Sequence, residues 1–177
     1  MKAKIGQAER WVFRPPGLAV VVELMRRPVL TEQERIEIHD SVQRCLTRYG
    51  QRYTDGRRAI IEVLLTLRRP VSITDIEDAL PQLPRSSAYR HLADLQAASV
   101  VSRLAGTDDF ARFELVEELT EHHHHLLCTY CGRVTDVVSP VELERTVTGY
   151  LKGLAKAEGF IAQSHRIDVF GLCSSCR

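Results

Sequence analysis

Beyond residue 30 the chain reads as four helical segments before the pattern changes. Ile36, Val42 and Leu46 form a loose stripe that predicts a helix from Thr31 to about Tyr49. Thr31 and Glu34 have capping-box spacing at its start, and Gly50 ends it. Thr54 is the next N-cap; Ile60, Ile61, Val63, Leu64 and Leu67 predict a buried helix face, closed at Arg68-Arg69-Pro70. A short helix should run from Ser72 to Leu80. Another should run from Pro84-Arg85-Ser86 to about Ala98, with Leu92 and Leu95 on its core side. The period then drops to two. Val100–Ala105 and Phe110–Val116 read as strands around the turn Gly106-Thr107-Asp108-Asp109. Strands are expected again near 124–128, 133–138 and 165–170. A helix from Ser139 to about Glu158, with Pro140 at its first position, lies among them.

Helices followed by a two-stranded wing make a winged helix-turn-helix, with the helix from Ser86 as its recognition helix. The expected fold class is α+β: an N-terminal winged-helix DNA-binding domain at 31–116 and a small α/β domain at 122–177. Residues 117–121 form the hinge, and 1–30 are a partly ordered N-terminal extension. Within that extension Leu18–Val22 reads as a short strand or helix. No apolar run reaches the ~18 residues that cross a bilayer, so no membrane partner is expected and the chain is read as cytoplasmic.

Charge sharpens this division. Residues 41–103 carry ten Lys/Arg against six Asp/Glu, whereas 104–177 carry seven against eleven. A basic segment suits phosphate, and an acidic, His-rich one suits cations. The basic side supplies the DNA-facing candidates. Arg85, Ser86, Ser87, Tyr89 and Arg90 open the recognition helix, where Arg suits phosphate or a guanine edge and Tyr a thymine methyl. Arg48, Arg52, Arg57 and Arg58 flank the second helix and would reach the DNA backbone or minor groove.

The acidic side carries the metal chemistry. Cys128-x-x-Cys131 and Cys173-x-x-Cys176 can each give two thiolates to one tetrahedral ion, so a closed structural zinc site is expected. Two redox pairs are the competing reading. Cys45, on the apolar side of a helix, reads as a small buried hydrophobe. In the run His122-His123-His124-His125, alternate side chains of a strand face opposite ways. His122 and His124 would therefore share one site with His165 and Glu144, or Glu142. His123 and His125 would share a site toward the hinge with Glu114, or alternatively Glu118 or Glu121. Imidazole and carboxylate ligation suits regulatory zinc or iron(II), and also manganese or nickel.

Four stretches carry a resemblance to the ferric uptake regulator (Fur) family of bacterial metalloregulators. They are the run from Tyr53 to Ile61, the run from Ser86 to Leu92, His122–Val134 through the first knuckle, and His165–Cys176 through the second. The resemblance spans about residues 40–177. It implies a homodimer on double-stranded operator DNA, with the sensing metal orienting two DNA-binding heads. It also implies Tyr89 as the base-contacting aromatic, the four cysteines as structural zinc ligands, and His123 and His125 in the hinge site. The histidine that many members carry after the second helix has no counterpart in Arg68-Arg69-Pro70-Val71. The expected function is a metal-responsive transcriptional regulator, a repressor of metal uptake or homeostasis genes, and not an enzyme. A peroxide-sensing repressor using iron on the same fold is the alternative. A zinc hydrolase is disfavoured because no HExxH spacing occurs, and a metal store binding no DNA is the remaining reading.

Overall fold

The computed structural model describes residues 29–104 and 111–177. The expectations for the N-terminal extension through residue 28, and for the turn Gly106–Asp109, lie outside those residues. Helix α1 spans Glu32–Arg48 and begins with the reciprocal Thr31/Glu34 capping box. Gly50, at φ 67, supplies the left-handed residue that turns the chain after it. Helix α2 spans Asp55–Leu67, with Arg68 in the left-handed region at its end. Helix α3, Ile73–Ala79, carries a second capping box between Ser72 and Asp75, and α4 spans Arg85–Ala97.

The wing has three strands, not two. The pair Val71–Ser72 (β1) joins β2 (Val101–Leu104) and β3 (Arg112–Leu115) in an antiparallel sheet of order β1-β3-β2. Two residues are too short to show a period, so β1 is invisible to sequence patterning. Val42, Leu46, Ile60, Ile61, Leu92 and Leu95 form the centre of the head's core. Two expected core positions face out: Ile36 is 46% exposed and Leu67 37% exposed. On α1 the buried stripe is instead Ile38, His39, Val42 and Leu46.

Helix α4 is held tightly against α2. Ala88, Leu92 and Leu95 are buried between them. A Cβ on Gly56 of α2 would lie 2.7 Å from His91 Nε2, so a larger residue there would have to push the His91 ring aside. The buried Arg57 guanidinium donates to Asp94 of α4 at 2.5 Å, to Gln51 Oε1 at 2.8 Å and to the Arg52 carbonyl.

After a 3-10 turn at Glu117–Leu119 the second sheet begins. It has β4 (His124–Cys128) at its centre, antiparallel to β5 (Val134–Val137) and parallel to β6 (Asp168–Gly171). Parallel neighbours need a crossover, and α5 (Val141–Ala157) supplies it. None of α5 is buried. Val141, Leu143, Tyr150 and Leu154 on it, with Phe160 and Ile161 after it, are large apolar side chains open to solvent. No helix among the described residues is long and apolar enough to cross a membrane.

Candidate metal centres

The two cysteine pairs meet at one point. Cys128 ends β4, and Cys131 follows across a turn whose Gly132, at φ 67, sends its N–H back to the Cys128 carbonyl. The chain after β6 brings Cys173 and Cys176 alongside, and the four sulfurs lie within 4.8 Å of one another. Cys131 Sγ and Cys173 Sγ are 3.8 Å apart. A tetrahedral zinc with ~2.3 Å bonds needs sulfurs about 3.8 Å apart. Two of the thiols are pulled in opposite directions. Backbone N–H groups of Cys131 and Cys173 stabilise the Cys128 thiolate and lower its pKa to about 6. Hydrogen bonding to Cys173, then burial, pushes Cys176 up to about 12. Four thiols this close ionise together only around a cation, so the donor set fits a structural zinc.

The histidine run splits by face as its alternation requires. His122 and His124 meet His165 and Glu144, all ligand atoms lying within 4.8 Å. His124 Nε2 is 3.0 Å from Glu144 Oε2, while His122 Nε2 and His165 Nε2 are 3.2 and 2.9 Å from Oε1. The last two nitrogens are buried and off the line of an N–H···O bond, so neither has a hydrogen-bond partner. Lone pairs converging in this way on one carboxylate fit a divalent cation. Glu142 is outside the cluster: it is exposed and pairs with Arg145 at 2.8 Å. His165 lies three residues ahead of β6, not within a strand.

His123 and His125 point the other way, toward the head, and are almost wholly buried. Glu114 of β3 reaches them from the wing, its Oε2 3.3 Å from His123 Nε2 and 3.0 Å from His125 Nε2. Burial acts to raise the Glu114 pKa, but hydrogen bonds from both rings outweigh it and hold the carboxyl at about 2. Burial likewise acts against a charged His125, yet Glu114 and Asp168 carry its pKa upward. The fourth member of the cluster is Asp136 on β5, 3.8 Å from His123 and 3.9 Å from His125. Neither Glu118 nor Glu121 joins the cluster through its carboxylate; Glu121 contributes its carbonyl, which accepts from His123 Nδ1 at 2.8 Å. Asp136 was not among the residues read from the sequence. It stands directly opposite His125 in the β4–β5 hairpin, and drawing that hairpin around the first knuckle would have found it.

The basic candidates divide. Arg48, Arg52, Arg85, Ser86, Tyr89 and Arg90 are exposed, Ser87 is half-buried, and Tyr89 stands 47% open on α4. Arg85 is 3.4 Å from Glu77. Arg57 is corrected: its guanidinium is consumed by Asp94, Gln51 and the Arg52 carbonyl inside the head, so it does not face a ligand. Arg58 lies over the Tyr53 ring, 4.7 Å from its centroid.

A sequence profile described as the ferric uptake regulator family matches residues 48–170, more than half of the chain. The chain belongs to the ferric uptake regulator family. Members are metal-responsive transcriptional regulators, and that statement holds for this one. A Bacillus subtilis relative, the peroxide operon regulator, is 29% identical over 133 residues, covering 72% of this chain and 85% of the relative. The Vibrio cholerae ferric uptake regulator structure superposes with a TM-score of 0.60 at 26% identity, covering 74% of this chain and 98% of that one. The Helicobacter pylori ferric uptake regulator, described as having three functional metal binding sites, shares the fold with a TM-score of 0.65 at 22% identity, covering 85% and 96%. The α+β architecture, a winged-helix head followed by a small α/β domain, is therefore that of a Fur-family protein.

Proposed function

We propose that this Fur-family chain is a DNA-binding repressor of metal uptake or homeostasis genes, active as a metal-loaded homodimer. One observation carries the reading: the hinge cluster takes Glu114 from the wing, His125 and Asp136 from the second sheet and His123 from the residue just ahead of it. Such a cation ties head to body. It supplies differential affinity for one head orientation, and that shifts a population of orientations toward the one spanning two half-sites. The four cysteines hold structural zinc. His122, His124, His165 and Glu144 hold a second regulatory ion. The open apolar side chains of α5 pack against a second copy. Ser86, Tyr89 and Arg90 on α4 meet the major groove, and Arg48 and Arg52 meet phosphate.

The test is operator binding against buffered free metal for the wild type and for His123→Ala/His125→Ala. The variant is expected to lose metal-dependent binding while keeping its zinc. Unchanged metal dependence would defeat the proposal. A peroxide-sensing repressor is the second reading, favoured by purely nitrogen and oxygen donors in the hinge cluster and by the name of the Bacillus subtilis relative. On that reading the iron form treated with peroxide gains oxygen on His123 or His125 in mass spectra.

A further inference from the structure

The two histidine clusters differ in how an ion can reach them. In the hinge cluster the side chains of His123, His125, Asp136 and Glu114 are 1, 2, 3 and 11% exposed. The other cluster is more open, with His122 at 33% and Glu144 at 24%. A hydrated cation can meet that second cluster directly, but it needs a passage to the hinge cluster, because a working metal site has an entry path. Two cavities border the hinge cluster, and Arg68, Arg69 and Asp136 line both. Their charge is opposite. The larger, of about 740 Å³, adds Arg112 and Arg133, with Asp75 as its one further carboxylate. The smaller, of about 570 Å³, adds Glu34, Glu37, Glu114, Glu118 and Glu121.

The smaller cavity lies between α1, the end of α2 and the 3-10 turn, and Leu64, Leu65, Leu115 and Leu119 give it apolar walls. Glu34, Glu37, Glu118 and Glu121 are exposed, whereas Glu114 and Asp136 are the two carboxylates of the cluster itself. Negative charge therefore runs from the open rim to the buried ligands. A cleft of one sign with apolar walls focuses the field and concentrates the opposite ion inside it. The arginine-lined cavity repels the same ion. We propose that the acidic cavity is the passage by which the hinge cluster takes up and releases its divalent cation, with Glu37, Glu118 and Glu121 as the capture residues at its rim. Glu118 and Glu121 thus serve the site without their carboxylates ligating in it. One route serves both directions, so obstructing it slows entry and exit together and leaves affinity nearly unchanged. Loss of a ligand does the reverse: it weakens binding and hastens release.

This rests on the reading that the hinge cluster binds a divalent ion, and the experiment separates the two. Zinc-loaded, full-length His122→Ala/His165→Ala protein serves as the parent, leaving the hinge cluster to take up Co2+. Uptake is followed by visible absorption after rapid mixing, and release by mixing with excess chelator. Glu37→Gln/Glu118→Gln in this parent removes two rim charges and no ligand. Its uptake is expected to slow roughly tenfold at low salt. Its release should slow alongside, so that affinity changes far less than either rate. The gap should shrink as added salt screens the rim. Asp40→Asn/Asp78→Asn removes the same charge from exposed positions outside the cavity and should keep the parent rates. Ser41→Trp, which sets an indole in the cavity wall, should slow uptake and release without changing affinity. Uptake at the parent rate in either cavity variant, an equal loss in Asp40→Asn/Asp78→Asn, or faster release from Glu37→Gln/Glu118→Gln each overturn the inference. Absence of Co2+ uptake by the parent, however long the mixing, would instead overturn the hinge metal site proposed above.

Discussion

Single side chains with two jobs fix the head. His39 is buried on α1, with Nδ1 2.5 Å from the Tyr53 hydroxyl and Nε2 2.5 Å from Glu62 Oε1. Burial works against the Glu62 carboxylate, but hydrogen bonding to His39 and the Arg35 charge outweigh it and keep its pKa low. Glu62 therefore accepts, His39 Nε2–H donates, and Nδ1 is left to accept from Tyr53. Burial keeps that phenol protonated, pushing its pKa well above the ordinary value. Tyr53→Phe is expected to cost about 1 kcal/mol. His39→Ala, which also strips Glu62 of a partner, should cost about 2–3 kcal/mol, both read from urea midpoints at constant slope. At the hinge, Asp136→Ala is expected to lower metal affinity about tenfold or more, with the knuckle zinc unaffected. Calorimetric titration beside zinc analysis reads both; undiminished affinity would remove Asp136 from the site.

Among the elements, α3 is short enough to depend on its cap. Asp75 accepts from the Ser72 N–H and hydroxyl at 2.7 Å and from Arg69 at 2.5 Å. Burial acts to raise its pKa, but the Arg69 and Ser72 bonds win and lower it to about 2. A carboxyl depressed in the folded state stabilises above its ordinary value near 4. That contribution disappears as pH falls toward 2. Asp75→Asn should therefore destabilise the protein by about 1 kcal/mol at neutral pH. The gap between the two proteins should close between about pH 4 and pH 2 in paired denaturation curves. A gap that persists at the acid end would contradict the assignment. The Thr31/Glu34 capping box, the α2 and α4 cores and the split histidine run were legible because each is a local spacing rule; the Ser72/Asp75 box was not read, and Thr54 holds the N-cap position without a side-chain bond. Asp136 was not, because its place depends on hairpin register across the knuckle. Arg57 misled because a basic residue beside a recognition helix looks the same in sequence whether it faces solvent or Asp94. The wing strand β1 has two residues and no period to read.

At the scale of the whole molecule, the two units differ in how they are held. The head has a continuous apolar core. The second sheet buries few hydrophobics, Leu127 and Val134 among them, and its helix buries nothing. Its order must come from the cysteine cluster and from what covers α5. Cys173→Ser/Cys176→Ser, or exhaustive chelation, is expected to abolish the dimer in sedimentation while leaving the head folded. Tyr150→Glu/Leu154→Glu should give monomers that still carry zinc. A dimer surviving both would refute this picture of its assembly. The head behaves differently: Arg57, Asp94 and the Gly56–His91 contact clamp α4 to α2, so α4 has no freedom of its own. A head built this way is an interchangeable cartridge. Swapping the outward residues around Tyr89 and Arg90 should redirect the protein to new promoters with its metal threshold unaltered, because nothing on that outer face supports the clamp.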